Sequence, residues 1–249
     1  MISIIIPTYN ERENIKILIP KIFEVLESNS LKGNLIIVDD SSPDGTALEV
    51  ERLKNKYPVE RLKNKYPIEL IKRKSKLGIG SAYIAGFKKA LEEGADIIFE
   101  MDADLSHDPA KIPEFIKSLE NSDIVLGSRY INGGRVEGWN IWRKTVSKGA
   151  NKIAKLLLSL EAMDITSGYR AYKSKVLKVI NLKGINSSGY AFQVELLFKA
   201  KQHGFRIKEI PITFVDRRHG KSKLSKIEII NFFILCFGLC IKRFTDRLQ

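Results

Sequence analysis

The chain has 249 residues, 44% of them hydrophobic and 29% charged, and no low-complexity tract, which excludes a largely disordered protein. Its two cysteines are too few for a disulfide framework. Lys and Arg outnumber Asp and Glu by 42 to 29, giving a net charge of +13. Such an excess favours an anionic partner: nucleic acid, a phosphate-bearing substrate or an acidic membrane surface.

Short apolar runs alternate with helical patterns through the first half of the chain. We predict strands at 2–6, 34–39, 68–73, 96–101 and 123–127, and helices near 11–28, 44–57, 78–93 and 109–120. The strands are apolar throughout, as in a sheet covered on both faces. The alternation predicts an α/β fold with a doubly wound, mostly parallel sheet in a Rossmann-like layout. Its ligand is expected at the carboxyl ends of the strands.

Two helix starts carry capping signals. Asn10 and Glu13 have the spacing of a capping box. Asp108 followed by Pro109 is typical of an N-cap and a first helical position. Both signals predict where a helix begins.

One segment is duplicated in tandem. "ERLKNKYPV" at 51–59 is followed at once by "ERLKNKYPI" at 60–68. Two copies are too few for a solenoid, so the pattern favours a lengthened helix-to-strand connection at the surface.

The second half contains a loop at 127–142, a helix, the motif "DITSGYRAY", a helix around 189–203 and a strand that runs into a basic loop. Residues 227–241 are apolar on nearly every helical face but fall short of the about 20 residues that span a bilayer. We predict a helix lying in the membrane interface; a core or dimer-interface helix is the alternative. Residues 1–226 are then the main domain, and 227–249 a C-terminal helix with a basic tail.

Acidic residues cluster in "EMDADLSHDP" at 100–109, directly after an apolar strand. Asp102 and Asp104 stand at the edge of the sheet where α/β proteins bind ligands. Oxygen ligands of this type suit Mg²⁺ or Mn²⁺, which commonly link carboxylates to substrate phosphates. A solvated acidic loop is the alternative reading of this segment.

Other segments converge on the same edge. "IIPTYNE" (5–11) ends the first strand and "VDDSSPDGT" (38–46) ends the second, where Asp39 and Asp40 can accept hydrogen bonds from a base or a ribose. "KLGIGSA" (76–82) supplies small residues before a helix. It matches neither the phosphate-loop pattern nor the dinucleotide fingerprint, which argues against a dehydrogenase.

Eight motifs together resemble a known family. They are, in chain order, "PTYNERENI", "VDDSSPDGT", "EMDADLSHDP", "GSRYINGG", "WRKTVSKGAN", "DITSGYRAY", "GYAFQVE" and "RRHGKSKL". This set is similar to dolichol-phosphate mannose synthases, a branch of the family-2 glycosyltransferases, from about residue 2 to residue 226. The resemblance implies a GT-A-like fold and a glycosyltransferase activity.

The resemblance also implies roles for individual positions. Positions that hold the nucleotide of the donor fall on Pro7, Tyr9, Glu11, Val38 and Asp40. The metal and diphosphate-sugar site falls on Asp102, Ala103 and Asp104, with Ser106 at the next metal-ligand position, where some relatives carry Gln. The lipid-phosphate site falls on Arg129, Arg143 and Ser147. Arg217 and Lys223 match residues that grip the diphosphate from a covering loop; a basic surface segment is the alternative.

The implied reaction transfers mannose from GDP-mannose to dolichyl or another polyprenyl phosphate, with inversion, and gives a lipid-linked donor for glycosylation. Asp104, Arg129 and Arg143 are its expected catalytic residues. A phosphate monoester has a second pKa of about 6 and needs no general base near neutral pH. His107, His203 and His219 occupy no arrangement typical of a base.

The sequence leaves other functions open. A UDP-glucose:polyprenyl-phosphate glucosyltransferase is the closest of them, and a donor-binding protein without turnover is another. A nucleic-acid module is disfavoured because the arginines are scattered among loops and not interleaved with exposed aromatic residues. The N-terminus has no feature of a secretory signal. We expect a cytoplasmic protein, peripheral on the cytosolic face of a membrane, held there directly or by a membrane-anchoring subunit.

Overall fold

The computed structural model describes residues 1–56, 66–185, 187, 189–216 and 226–245. The strands are β1 (Ile2–Thr8), β2 (Gly33–Asp39), β3 (Ile68–Lys72), β4 (Ile97–Glu100), β5 (Ile124–Ser128), β6 (Arg135–Glu137), β7 (Arg170–Lys173), β8 (Ile207–Pro211) and β9 (Thr213–Val215). The α-helices are α1 (Arg12–Ser28), α2 (Thr46–Lys56), α3 (Ile79–Glu92), α4 (Ile112–Leu119), α5 (Ile141–Leu158), α6 (Ser174–Val179), α7 (Gly189–Gln202) and α8 (Lys226–Thr245). Short 3₁₀ helices span Pro109–Lys111 and Leu182–Gly184.

Seven strands form the main sheet in the order β3-β2-β1-β4-β7-β5-β8. Only β7 runs antiparallel to its neighbours, so the predicted mostly parallel α/β sheet is confirmed. The strands β6 and β9 pair in parallel as a separate two-stranded sheet. The apolar pattern missed β7 because its sequence, "RAYK", carries two basic residues. Arg170 is nevertheless fully buried, and its guanidinium donates to the backbone oxygens of Ile165, Ser167 and Gln193.

Both faces of the sheet are covered by helices, as the uninterrupted apolar strands require. In β1, Ile5 faces one core, which includes side chains of α3, α7 and α8. Its neighbours Ile4 and Ile6 face the other core, which includes side chains of α1, α2 and α4. Alternate residues of one strand therefore stabilise opposite layers of the domain.

One glycine sets the distance between α3 and the sheet. A Cβ atom at Gly86 would lie 2.3 Å from Cγ2 of Ile5, closer than any real packing contact. Because position 86 has no side chain, α3 can lie directly on β1.

The two predicted helix starts have different outcomes. The capping box at Asn10 is wrong: α1 begins at Arg12, Glu11 occupies the N-cap position without a side-chain cap, and Asn10 has a φ of 60°. Asn10 therefore lies within the loop between β1 and α1, one residue before the N-cap position. The Asp108 start is confirmed, because its carboxylate accepts from the N–H of Ala110 at 3.0 Å and Pro109 follows it.

The C-terminal helix α8 has two different sides. Phe232, Cys236 and Leu239 are buried and belong to the same core as the sheet. The other side leaves large apolar side chains in solvent: Ile230, Ile234, Phe237 and Ile241, each at least 56% exposed. Within the described ranges, no helix combines the length and the apolar character needed to cross a bilayer.

The tandem duplication contributes a different part of each copy to the described structure. The first copy supplies the end of α2, where Leu53 is buried. The second copy supplies Tyr66 and Ile68, both buried, and Tyr66 stacks on Phe23 with ring centroids 5.6 Å apart. The predicted surface connection falls on residues 57–65, outside the described residues. The described parts of the two copies, residues 51–56 and 66–68, together spell one complete copy of the motif.

Deleting residues 57–65 joins Lys56 to Tyr66 and regenerates a single "ERLKNKYPI". We expect this variant to fold, because it retains the buried Leu53, Tyr66 and Ile68, with a free energy of unfolding within about 1 kcal/mol of the parent, the size of a loop-length effect. Urea unfolding followed by circular dichroism measures the difference. The control Leu53→Ala, which leaves a core cavity, should lose about 2 kcal/mol or more. A deletion variant that fails to fold would contradict the prediction.

Candidate active site

A cavity of about 420 Å³ opens at the carboxyl ends of β1, β2 and β4. This is the edge at which the sequence predicts a ligand. Residues from several segments line it: Pro7, Thr8, Tyr9, Glu11, Asp40, Lys76, Gly78, Ile79, Ala82, Asp102, Ala103, Asp104, Thr166, Gly168, Gly189 and Gln193. Val38, also expected at the donor site, is fully buried in the core and is absent from this lining.

Asp102 is held by two partners that are themselves buried. Its Oδ1 accepts a hydrogen bond from the hydroxyl of Tyr83 at 3.1 Å, and its backbone N–H donates to Nδ1 of His107 at 3.0 Å. Burial, followed by the charge of Asp102, raises the pKa of Tyr83 well above its ordinary value, so the phenol stays a donor. Burial lowers the pKa of His107. The imidazole therefore stays neutral near pH 7, and Nδ1 is occupied as an acceptor.

Asp104 is held by the turn that follows it. Leu105 has a φ of 64°, a left-handed conformation that is strained for a branched side chain. This turn directs both the N–H and the hydroxyl of Ser106 to Oδ1 of Asp104, at 3.1 and 2.5 Å. The strained residue thus lies at the point where the acidic segment must fold back on itself.

The carboxylates at this edge fit a divalent cation that takes some of its ligands from the protein and the others from a substrate and water. Asp102 and Asp104 both line the cavity and present carboxylate oxygens, the ligands preferred by Mg²⁺ and Mn²⁺. No group of three or more His, Cys, Asp or Glu side chains with metal-binding geometry occurs within the described ranges. Two carboxylates with the remaining positions open to phosphate and water is the arrangement that Mg²⁺ adopts with phosphate-bearing substrates.

The two carboxylates at the end of β2 are already engaged within the protein. Asp40 pairs with Arg73 and accepts from the N–H groups of Leu77 and Gly78, at 3.2 and 3.0 Å. Asp39 accepts from the hydroxyls of Thr8 and Ser42, at 2.8 and 2.6 Å. These bonds fix the loops around the cavity.

Lys76 is a cavity residue to which the sequence analysis gave no role. Its ammonium lies 4.1 Å from the ring centroid of Tyr9, a cation–π contact between two lining residues. The motif "KLGIGSA" drew attention to its small residues, while the lysine at its start supplies a positive charge to the cavity.

Beneath the cavity lies a buried acid, Glu100. Its carboxylate accepts from the hydroxyl of Tyr172 at 2.7 Å and from the side-chain amide of Gln193 at 2.6 Å. Burial raises the pKa of Glu100 to about 7, against an opposing effect from the charge of Arg170. The folded protein therefore holds a proton on Glu100 at pH values where the unfolded chain has lost it.

The raised pKa of Glu100 predicts that this residue makes the folded protein less stable as pH rises. The stabilising effect of a raised carboxyl pKa is fully present below the ordinary value of 4.5 and is lost as pH rises through about 7. Glu100→Gln carries no charge at any pH, so its unfolding temperature relative to the parent should rise between pH 5 and pH 8. The corresponding change in unfolding free energy is at most about 3 kcal/mol. Thermal unfolding in chelator-containing buffer measures it, and Glu24→Gln, at an exposed position of α1, is the control. Parallel pH profiles for the parent and Glu100→Gln would contradict the assignment.

Arg129 lies beside the cavity in a buried ion pair. Its Nε and Nη2 donate to the two carboxylate oxygens of Asp164 at 2.7 and 2.6 Å, and the side chains are 4% and 0% exposed. Nη2 also donates to the hydroxyl of Thr166 at 2.9 Å, and Thr166 lines the cavity. Removing one member of such a pair leaves the other charge buried, which costs about 3–5 kcal/mol. A variant of Arg129 would therefore report on folding as well as on function.

Arg143 and Ser147 lie together next to Arg129, although none of the three lines the cavity. The guanidinium carbons of Arg129 and Arg143 are 5.3 and 4.1 Å from the ring centroid of Trp139. Ser147 accepts from the hydroxyl of Tyr130 at 2.7 Å. Arg143 is paired with Asp216 at 3.0 Å, in a contact more exposed than that of Arg129. Two of the residues expected at the lipid phosphate, Arg129 and Arg143, thus lie against one indole ring, and Ser147 is linked to them through Tyr130, whose ring centroid is 5.2 Å from the guanidinium carbon of Arg129.

The position of Asp216 is fixed by its contacts with the segment at Glu137 and Gly138. Gly138 has a φ of 84°, and a Cβ atom there would lie 2.8 Å from Cβ of Asp216. The N–H of Asp216 bonds to the carbonyl of Glu137 at 3.0 Å. Asp216 is the last described residue before 217–225, so the expected donor contacts of Arg217 and Lys223 lie outside the described residues.

Gln193, Thr166 and Tyr83 are site residues that received no role from the sequence. The first two occur in motifs that were recognised as wholes, "GYAFQVE" and "DITSGYRAY". Tyr83 sits within the helical pattern at 78–93 and follows no polar motif. Their place in the site depends on how the helices and loops pack on the sheet. The spacing of residues along the sequence does not reveal that packing.

Comparison with known sequences gives consistent matches. Residues 3–180 match the family model described as glycosyl transferase family 2. The chain is 39% identical over 221 residues to the undecaprenyl-phosphate mannosyltransferase of Micrococcus luteus, covering 89% of this chain and 86% of that protein. It is 39% identical over 223 residues to the polyprenol monophosphomannose synthase of Mycolicibacterium smegmatis, covering 89% of this chain and 80% of that protein.

Comparison with solved structures reports the fold. The glucosyl-3-phosphoglycerate synthase of Mycobacterium tuberculosis, in complex with Mn²⁺ and UDP-glucose, has a TM-score of 0.66 at 19% identity over 96% of this chain and 79% of that chain. The mannosyltransferase PcManGT of Pyrobaculum calidifontis, in complex with GDP-Man and Mn²⁺, has a TM-score of 0.62 at 16% identity over 97% of this chain and 64% of that chain. At these identities the likeness shows a common fold.

Proposed function

Because the chain belongs to glycosyltransferase family 2 and has its GT-A-like α/β fold, we propose that it transfers mannose from GDP-mannose to the phosphate of dolichol or another polyprenol. The product is a polyprenyl-phosphate mannose, a lipid-linked donor for glycosylation. The observation that carries the proposal is an acidic cavity beside a group of arginines. Thr166 joins the two, since it lines the cavity and bonds Arg129.

The donor occupies the cavity in this proposal. The nucleotide lies in the part of the cavity that is lined by Pro7, Tyr9 and Glu11. Lys76 supplies positive charge there. Asp102 and Asp104 would hold Mg²⁺ or Mn²⁺ against the diphosphate, and the cation would stabilise the negative charge of the departing GDP. Ser106 acts through Asp104, to which its hydroxyl donates. Arg217 and Lys223 are proposed to assist at the diphosphate.

The acceptor phosphate occupies the group around Trp139. Arg143 can offer its guanidinium to a phosphate if Asp216 gives up the ion pair, and the planar guanidinium suits two-point phosphate binding. The hydroxyls of Tyr130 and Ser147 lie at the same place. Arg129 already shares its charge with Asp164, so its main effect is to fix this group next to the cavity.

The chemical step is a direct displacement. An oxygen of the acceptor phosphate attacks the anomeric carbon of mannose, the bond to the β-phosphate oxygen breaks, and GDP leaves with that electron pair. A dianionic phosphate carries no proton that must be removed. Consistently, His107 has its Nδ1 occupied and stays neutral through burial. One displacement converts an α-linked donor to a β-linked product.

Asp104→Ala tests the donor site. With Mg²⁺ or Mn²⁺, polyprenyl phosphate and GDP-mannose, we expect the parent to release GDP only when both metal and lipid phosphate are present. Asp104→Ala should lower kcat by about 100-fold or more, because charge stabilisation of the leaving group is lost. The control Asp108→Ala removes a helix cap worth about 1 kcal/mol and should keep its transfer rate. A near-normal rate for Asp104→Ala would contradict the proposed metal site.

The same assay separates the competing functions. Turnover of UDP-glucose in place of GDP-mannose would establish the glucosyltransferase alternative. Binding of GDP-mannose without release of GDP in the presence of acceptor would indicate a donor-binding protein.

We further propose that α8 docks the enzyme on the cytosolic face of an anionic membrane, with residues 1–226 as the catalytic domain and 227–249 as the docking element. The exposed apolar stripe of α8 consists of Ile230, Ile234, Phe237 and Ile241. The helix α5, which packs against α8, also exposes Leu156, at 81%, and Lys242 and Arg243 follow the stripe in the last turn of α8. Apolar side chains bordered by basic ones are typical of a helix that lies in an anionic interface.

Ile234→Asp combined with Phe237→Asp tests the docking surface. Sedimentation with vesicles of phosphatidylcholine and phosphatidylglycerol should show at least about tenfold weaker binding for this double variant than for the parent. Leu48→Asp, at a 74% exposed position of α2, is the matched control and should bind normally. If the parent itself fails to bind, or if the double variant binds as well as the parent, the docking proposal is wrong.

A further inference from the structure

We propose that Gln193 recognises the sugar of the donor, its amide oxygen accepting a hydrogen bond from a hydroxyl group of the transferred hexose. This inference rests on the proposed function for the presence of a nucleotide sugar in the cavity. It assigns a specificity-determining role to the motif "GYAFQVE", which the proposed reaction does not otherwise use.

Gln193 lines the same cavity as the two aspartates and bonds Glu100, two residues before Asp102 in the chain. It lies on α7 and lines the cavity together with Asp102, Asp104 and Thr166. Its side chain is almost entirely buried, with 5% of the residue exposed. The sugar of a donor whose diphosphate is held at Asp102 and Asp104 must lie within a few ångströms of these residues.

The orientation of the Gln193 amide is fixed from behind. Its Nε2 donates to Oε2 of Glu100 at 2.6 Å, and the other oxygen of Glu100 accepts from Tyr172. The backbone oxygen of Gln193 accepts from the buried guanidinium of Arg170 at 2.8 Å. An amide that turns its nitrogen to a carboxylate must present its oxygen elsewhere.

That oxygen lacks a partner. Oε1 of Gln193 is buried and makes no hydrogen bond within the part of the chain that the structure describes. A buried acceptor left unsatisfied costs about 1–3 kcal/mol, and most such groups in native proteins have a partner. The carboxylates of Asp102 and Asp104 are acceptors and cannot supply one. A sugar hydroxyl can, since it is a donor that arrives with the substrate.

Such a contact gives selectivity and not only affinity. A site that hydrogen-bonds a substrate hydroxyl rejects an analogue without it, because the buried acceptor is then left unpaired. The side chain of Gln193 would therefore favour a hexose with a hydroxyl at one particular carbon over the corresponding deoxy sugar.

Gln193→Met tests this role, because methionine keeps the length of the side chain and removes the amide. Calorimetric titration with Mg²⁺ gives the affinity for GDP-mannose relative to GDP, and for UDP-glucose relative to UDP. The measured quantity is the ratio of the affinity for the nucleotide sugar to the affinity for its nucleotide, taken for whichever nucleotide the parent binds. In Gln193→Met this preference for the sugar-bearing ligand should fall about 5- to 150-fold, the equivalent of about 1–3 kcal/mol. The control Tyr172→Phe also removes a hydrogen bond to Glu100 and should keep the parent's preference.

The outcomes separate this inference from the proposed function. If the parent prefers UDP-glucose, the mannosyltransferase proposal fails while Gln193→Met still tests the sugar contact on that pair. An equal loss for nucleotide and nucleotide sugar would point to a metal or diphosphate role for the amide and overturn the inference. An unchanged preference in Gln193→Met, or the same loss in Tyr172→Phe, would also overturn it.

A second measurement does not require a folded variant. The parent is titrated with GDP-mannose analogues that each lack one hydroxyl, or with the corresponding UDP-glucose analogues if that is the ligand it binds. One analogue should bind at least about fivefold more weakly than the complete donor. If every deoxy analogue binds as well as the complete donor, the inference is wrong.

Discussion

The active site depends on holding several carboxylates close together at one edge of a sheet. Like charges at short range raise one another's energy, so each must be given a donor or a cation. The structure supplies three of the four partners from segments distant in sequence, and the fourth, Ser106, from the turn that follows Asp104. The pairs are Asp40 with Arg73, Asp102 with Tyr83, Asp104 with Ser106, and Asp164 with Arg129. Each of these bonds also fixes a loop, so the same contacts that relieve repulsion define the walls of the cavity.

The two arginines beside the cavity differ in how deeply their ion pairs are buried, and this difference decides which of them can bind a ligand. Arg129 has both ends of its guanidinium on a fully buried carboxylate, an arrangement that is costly to break. Arg143 meets Asp216 in a partly exposed pair, and such pairs contribute little to stability. In the proposed reaction the second arginine can therefore exchange its carboxylate for a phosphate, while the first keeps its position.

Much of the fold could be predicted from the sequence because apolar strands and helical periodicity alternate in the first half. The acidic segment at the end of β4 could also be placed at the ligand edge by this argument alone. The strand β7 could not, because Arg170 is buried through bonds to backbone oxygens that no local pattern reveals. Asn10 has the residue type of a cap but a left-handed backbone. Gln193 belongs to the site only because α7 packs beside β4 and β7, where its side chain bonds Glu100 and its backbone oxygen accepts from Arg170, and no local pattern encodes that packing.

The close approach at Gly86 links the core to the chemistry. Tyr83 stands on the same helix, one turn before Gly86, and its hydroxyl is what steadies Asp102. A methyl group at position 86 would press on Ile5 and push α3 outward, carrying the phenol with it. The carboxylate would then lose its support although nothing in the cavity had been altered. An absent side chain in the interior thereby sets how firmly Asp102 is held at the proposed cation site.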